Sequence, residues 1–204
     1  MYYQGWIVNV DEHKASVLFY TPEEFGYYWI DNSQYILAIS SCYGGDENAG
    51  QGAFALDAQT LAIYGLGDHY GGPCEGTVGP SFSPDSLHVI FQDDHGTVET
   101  ITGKQRVPIC GQSEYPRSYA WSSDSRYLFA ACTPSYDQPD ELRRYDTQTG
   151  RISTLTNRNK LRFKAIDLAV SPDQSRILLR WGTSDFGNNE PYGIWLLNLE
   201  KLEK

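Results

Sequence analysis

One phrase recurs four times in this chain: WIDNSQYIL at residues 29–37, FSPDSLHVI at 82–90, WSSDSRYLF at 121–129 and VSPDQSRIL at 170–178. Each copy sets an apolar residue ahead of a turn of Pro, Ser and Asp and follows it with an apolar run. The copies begin 53, 39 and 49 residues apart. Self-similarity at such a period marks a repeat array, in which each repeat is one supersecondary unit that buries its apolar faces only by stacking on its neighbours.

The third copy shows the unit most plainly. Residues 118–121 read as a strand, 122–125 as a turn, 126–132 as a second strand, 133–140 as a loop, 141–146 as a third strand, 147–150 as a turn and 151–156 as a fourth. The turns rest on Asp, Ser and Gly, which tolerate left-handed backbone or bond their own main chain. Four antiparallel strands make one blade. The same reading places blades at 28–66, 80–110, 118–156 and 167–200, and an orphan outer hairpin at 5–21. The last blade lacks a fourth strand. The expected fold is a single all-β domain over 1–204, a β-propeller of four to five four-stranded antiparallel blades, closed by combining strands from the two chain ends. Seventeen strands are expected, one more than four blades need and three fewer than five.

Composition agrees. Aromatic residues make up 14%, with fifteen Tyr and five Trp, and long Ala/Leu/Glu/Lys stretches are missing, which favours strands over helices. Sixteen Lys plus Arg against 26 Asp plus Glu give a formal charge of −10. That balance repels nucleic-acid phosphates, so no nucleic-acid partner is expected. No apolar stretch approaches a membrane span and the start MYYQGWIVNVDEHK has no secretory pattern, so no membrane partner is expected. Cys42, Cys74, Cys110 and Cys132 lie too far apart for CxxC pairs and are too few for a disulfide scaffold. Reduced thiols in a cytoplasmic protein are the expectation.

The A–B phrases FSPDSLHVIF, WSSDSRYLFA and VSPDQSRILLRW, with the outer hairpin ELRRYDTQTGRISTLT, resemble the WD-like propeller repeat of TolB-type proteins and of the propellers attached to prolyl oligopeptidase-like serine peptidases. The resemblance covers most of the chain and implies fold more than function. In such repeats the Pro/Asp turn closes the A–B hairpin, so it implies structural roles for Pro84, Asp85, Pro172 and Asp173. The chain departs from the pattern in three places: the first blade has no Pro, the second has a shortened outer hairpin, and no peptidase domain or signal peptide accompanies the repeats.

Catalytic patterns are thin. GxSxG is absent, and the nearest string, Gly72-Pro73-Cys74-Glu75-Gly76, leads into a strand and offers no helix to hold a nucleophile. Asp93-Asp94-His95, Asp46-Glu47-Asn48 and Asp68-His69 supply ligand types without the spacing of a metal loop or a paired-His helix. No metal, cofactor or catalytic residue is expected.

Loop length is more telling. The A–B and C–D turns are short and alike, whereas the B–C loops (43–51, 92–96, 133–140, 182–192) and D–A loops (67–79, 111–117, 157–165) are long and dissimilar. Binding residues concentrate on such loops. These carry the candidate binding residues Tyr43, Asp46, Tyr70, Asp93, Asp94, His95, Tyr115, Tyr136, Phe186 and Tyr192, aromatic anchors amid charge; the bland alternative is Tyr capping the blade core. Seven of the sixteen cations fall within residues 143–164, with Arg158, Lys160 and Arg162 as a basic patch that either meets an acidic partner or pairs internally with surplus carboxylates. The expected function is a non-catalytic scaffold binding protein or peptide, a homodimer being possible. The alternatives are a ligand- or cation-binding or enzymatic propeller, and a propeller subunit serving a separate serine hydrolase.

Overall fold

A computed structural model of the chain describes residues 3–9, 14–21, 25–30, 34–40, 52–68, 81–91, 96–102, 105–134, 138–156, 164–181 and 193–202. The chain falls into two compact units, Met1–Thr77 and Val78–Lys204.

The first unit opens with an antiparallel hairpin, β1 (Tyr3–Asn9) on β2 (Lys14–Thr21), with a bulge between Gly5 and Trp6. A four-stranded antiparallel sheet follows, β3 (Phe25–Trp29), β4 (Tyr35–Ser40), β5 (Gly52–Asp57) and β6 (Ile63–Asp68), each strand beside the next. Successive residues of a strand face opposite sides. Tyr35, Ile36, Leu37 and Ala38 are all buried, so inner strand β4 is covered on both faces. The β5–β6 turn is closed by the Asp57 carboxylate, whose Oδ1 accepts the N–H groups of Gln59 and Thr60 at 2.9 and 2.8 Å.

The second unit carries three antiparallel sheets. The first joins β7 (Ser81–Phe82), β8 (His88–Ile90), β9 (Thr97–Thr100) and β10 (Arg106–Pro108). The next joins β11 (Tyr115–Trp121), β12 (Tyr127–Thr133), β13 (Glu141–Asp146) and β14 (Arg151–Thr154). The last has three strands, β15 (Ala165–Val170), β16 (Arg176–Trp181) and β17 (Gly193–Asn198), and runs into a helical turn, α1 (Leu199–Leu202). Each four-stranded sheet is one blade of the expected kind. Seventeen strands are formed among the described residues. β17 is hydrogen-bonded on one edge only there, to β16.

Strand β12 shows why the blades stack. Its run YLFAACT is apolar at nearly every position, so it has two faces to bury. Leu128, Ala130 and Cys132 pack with Ile90, Val98 and Ile109 of the preceding blade, while Phe129 and Ala131 pack with Leu168, Ile177 and Leu179 of the following sheet. Each fully buried side chain of this size contributes about 1.5–3 kcal/mol. A continuous apolar run flanked by turns is the pattern of a strand buried on both sides, and here the two sides are the two neighbouring blades.

Candidate functional site

The two ends of the blades in the second unit differ in how their polar groups are used. At the end carrying the A–B turns, one local structure is built three times. Ser83, Ser122 and Ser171 each donate a side-chain hydrogen bond to the carboxylate two residues on, Asp85, Asp124 and Asp173, at 2.6, 2.7 and 2.6 Å. The same hydroxyls accept the N–H groups of His88, Tyr127 and Arg176 at 3.0, 2.8 and 3.0 Å. The fourth residue of each turn, Ser86, Ser125 or Gln174, takes positive φ of 59°, 63° and 58°. Neighbouring turns are tied together. The Asp85 N–H donates to Ser125 Oγ at 2.8 Å, and Ser123 Oγ donates to the Pro172 carbonyl at 3.1 Å. Asp124 accepts hydrogen bonds from Ser122 and Gln174, which hold its carboxyl below its ordinary value.

At the opposite end, where the B–C and D–A loops leave the blades, charge is gathered instead. Asp140, ahead of β13, is fully buried. Its Oδ2 accepts the Ala165 N–H at 2.6 Å, with Arg117 Nε at 3.7 Å; Lys164 Nζ lies 3.9 Å from Oδ1 and donates to Thr133 Oγ1 at 3.3 Å. Burial pushes the Asp140 carboxyl up, against the lowering pull of the Ala165 N–H, the Thr133 hydroxyl and the two cations. Arg117 reaches this position through a β-bulge: the β11–β12 register shifts between Pro116 and Ser118, and such bulges re-aim one side chain without ending the ladder. The bulge also lets β11 begin at Tyr115, three residues before the strand start expected from the sequence.

A second cluster lies at the same end. Arg143 forms 2.8 Å ion pairs with Glu114 and Glu141 and donates to the Ile109 carbonyl at 3.1 Å, while Glu114 accepts the Gly111 N–H at 2.7 Å. Between the clusters runs a disulfide, Cys110–Cys132. This corrects the expectation of reduced thiols for these two residues. The sequence reading treated spacing along the chain as the criterion, but the stacking of one blade on the next brings residues 22 apart to bonding distance. With the correction goes one of the two grounds on which a cytoplasmic placement was expected.

Of the residues the sequence nominated for binding, Tyr115 lies within the described structure, half-buried at the start of β11 and opposite Thr133 in the ladder. Tyr43, Asp46, Tyr70, Asp93, Asp94, His95, Tyr136, Phe186 and Tyr192 lie outside the described residues, as do Arg158, Lys160 and Arg162 of the basic patch, Cys42 and Cys74. Elsewhere in the basic segment Arg143 and Lys164 pair as above, Arg144 lies 4.8 Å over the Tyr127 ring, where Arg126 also lies 4.9 Å from the centroid, and Arg151 is exposed. Sequence reasoning missed Arg117, whose one signal is a lone charge inside the strand YPRSYAW. It also missed the serine that heads each A–B turn, present at the same place in three of the four repeats.

No family model matches the chain, and no curated protein matches it. Its fold is shared with solved structures. A putative dipeptidyl aminopeptidase IV from Bacteroides ovatus is matched over 98% of this chain and 31% of that one, at 11% identity and TM-score 0.62. Dipeptidyl peptidase 4 of Porphyromonas gingivalis is matched over 96% and 35%, at 14% identity and TM-score 0.59. An oligogalacturonate lyase in complex with manganese is matched over 96% and 57%, at 13% identity and TM-score 0.58. The chain spans about a third to somewhat over half the length of these proteins. At such identities the likeness shows the fold alone, a β-propeller architecture.

Proposed function

We propose that the chain is a non-catalytic propeller that binds protein or peptide through the loop end of its blades. The observation that supports this most is the contrast between the two ends of the second unit. The turn end spends its hydroxyls, carboxylates and N–H groups on its own turns and on their neighbours. The loop end holds charged side chains in a braced frame at the strand ends of the second unit from which the long, dissimilar loops leave. A rigid scaffold under variable loops suits recognition, and the loop tyrosines Tyr43, Tyr136 and Tyr192 are the candidates for the large amphipathic anchors that dominate binding energy. The basic patch suits an acidic segment in the partner. A second reading, a propeller serving a hydrolase, draws on the peptidases among its structural neighbours.

An array of immobilised peptides of varied charge, probed with the purified chain, tests the proposal. Acidic peptides bearing apolar residues are expected to be retained, more weakly after R158E, K160E and R162E together and unchanged by the turn-end change S123A. Retention that ignores peptide sequence, or that is lost with S123A and not with the charge reversals, would overturn it. A chain that cleaves the arrayed peptides would overturn the non-catalytic part alone.

A further inference from the structure

The Cys110–Cys132 disulfide joins two blades at one end only. Cys110 follows the last strand of one blade and Cys132 is the sixth residue of β12, the inner strand of the next. Both are buried. The same junction carries the Arg143 bond to the Ile109 carbonyl and the Glu114 bond to the Gly111 N–H. Cys132 lies opposite Pro116 and Glu141 in its two ladders, and the next residue, Thr133, holds Lys164. Both charged clusters of the loop end therefore hang on residues within one or two positions of the bond. At the turn end the same two blades meet through hydrogen bonds, Asp85 N–H to Ser125 Oγ and Trp121 Nε1–H to the Ser81 carbonyl at 3.4 Å.

We infer that this disulfide is a redox strut for the loop end: the chain reaches its working form where protein thiols are oxidised, and reduction loosens the loop end of the two blades while leaving their turn end in place. The bond forms by exchange with a disulfide-bearing oxidant, the two cysteine thiols giving up two electrons and two protons as one S–S bond forms and the oxidant is released as two thiols. Disulfides of this kind persist in extracellular, lumenal or periplasmic surroundings and are rare where glutathione and thioredoxin keep thiols reduced. Because both sulfurs lie inside the blade interface, a reductant reaches them only when the junction opens, so the bond is set during folding and kept afterwards. Cross-linking this junction stabilises mainly by restricting the unfolded chain. The inference does not depend on what the loop end binds.

The test combines peptide mapping with hydrogen exchange on the full chain. Folded without reductant, the chain should yield a peptide linked through Cys110 and Cys132. Folded instead in dithiothreitol, so that the bond never forms, the chain should melt about 10 °C lower. Exchange should then rise roughly tenfold at residues 109–117, 130–134 and 141–143 and stay unchanged at 83–88, 122–127 and 171–176. The C110A/C132A pair should reproduce the reduced pattern without reductant, which separates this bond from any effect of Cys42 or Cys74. Free thiols at both positions in the oxidised, folded chain would overturn the inference. So would a reduced chain that keeps its melting temperature and exchange pattern, or one that loosens at the turn end as much as at the loop end. Should C110A/C132A fail to fold, the wild-type chain with and without dithiothreitol decides the matter.

Discussion

The backbone N–H of Asp85 donates a 2.8 Å hydrogen bond to the hydroxyl of Ser125, 40 residues further along the chain. Ser125 holds the left-handed place in its own A–B turn at φ 63°, so the residue that lets one turn close also fastens the turn before it. Both ends of that bond belong to repeated phrases, which is how a purely local motif comes to set the spacing of blades. Replacing Ser125 by Ala removes an acceptor from a buried position and is expected to cost about 1 kcal/mol. Replacing Ser122, fully buried, removes both the acceptor for the Tyr127 N–H and the donor to Asp124, and should cost more, about 1–3 kcal/mol. Urea unfolding reads both; equal midpoints for the wild type and the two variants would contradict this account of the turn end.

Leu61 and Gly150 occupy the same place in two C–D turns. In each, an Asp side chain accepts two following N–H groups and the fourth residue after it has positive φ, 59° at Leu61 and 70° at Gly150. A branched side chain is strained in that region, whereas glycine is not. L61G should raise stability by up to about 1 kcal/mol and G150A should lower it by a similar amount. Thermal unfolding of the pair checks the sign at both positions.

Acid should weaken the last A–B turn in a defined window. The Asp173 carboxylate accepts from Ser171, the Ser175 N–H and the Ser175 hydroxyl, and these bonds hold its pKa at about 2 against an ordinary value of 3.8. A depressed folded-state pKa means the folded chain binds the proton less readily than the unfolded one. Its contribution is therefore complete above about pH 4 and is lost as pH falls towards 2. In D173N the amide oxygen still accepts but does not titrate, so the stability of that variant should depend less on pH across the window. Denaturant midpoints at several pH values measure the difference, and parallel curves for wild type and D173N would count against it.

The strands were readable because two periodicities in the sequence report them directly. Repeats of the Pro/Ser/Asp phrase give the A–B hairpins, and the Asp and Gly within ELRRYDTQTGRISTLT mark the outer turn that follows Asp146. The polar chemistry between blades was not readable in the same way. Lys164 meets Asp140, and Cys110 meets Cys132, only after blades have stacked. Contacts across a blade interface have no fixed offset in sequence, so a lone Lys ahead of a strand and two cysteines in different repeats carry no mark of their partners. The loop residues from which binding was inferred are the least repetitive in the chain, and for that reason repetition says nothing about them.

The division of labour between the two ends is the centre of this account, and a hydrogen-exchange footprint tests it most directly. The tightest-binding arrayed peptide would be added to the full chain and protection read along the backbone. The account predicts slowed exchange at residues 109–117, 130–134, 138–143 and 164–166, where the loops enter and leave the blades, with the turns at 83–88, 122–127 and 171–176 unaffected. Protection confined to those three turns, with the loop end exchanging as in the free chain, would contradict it.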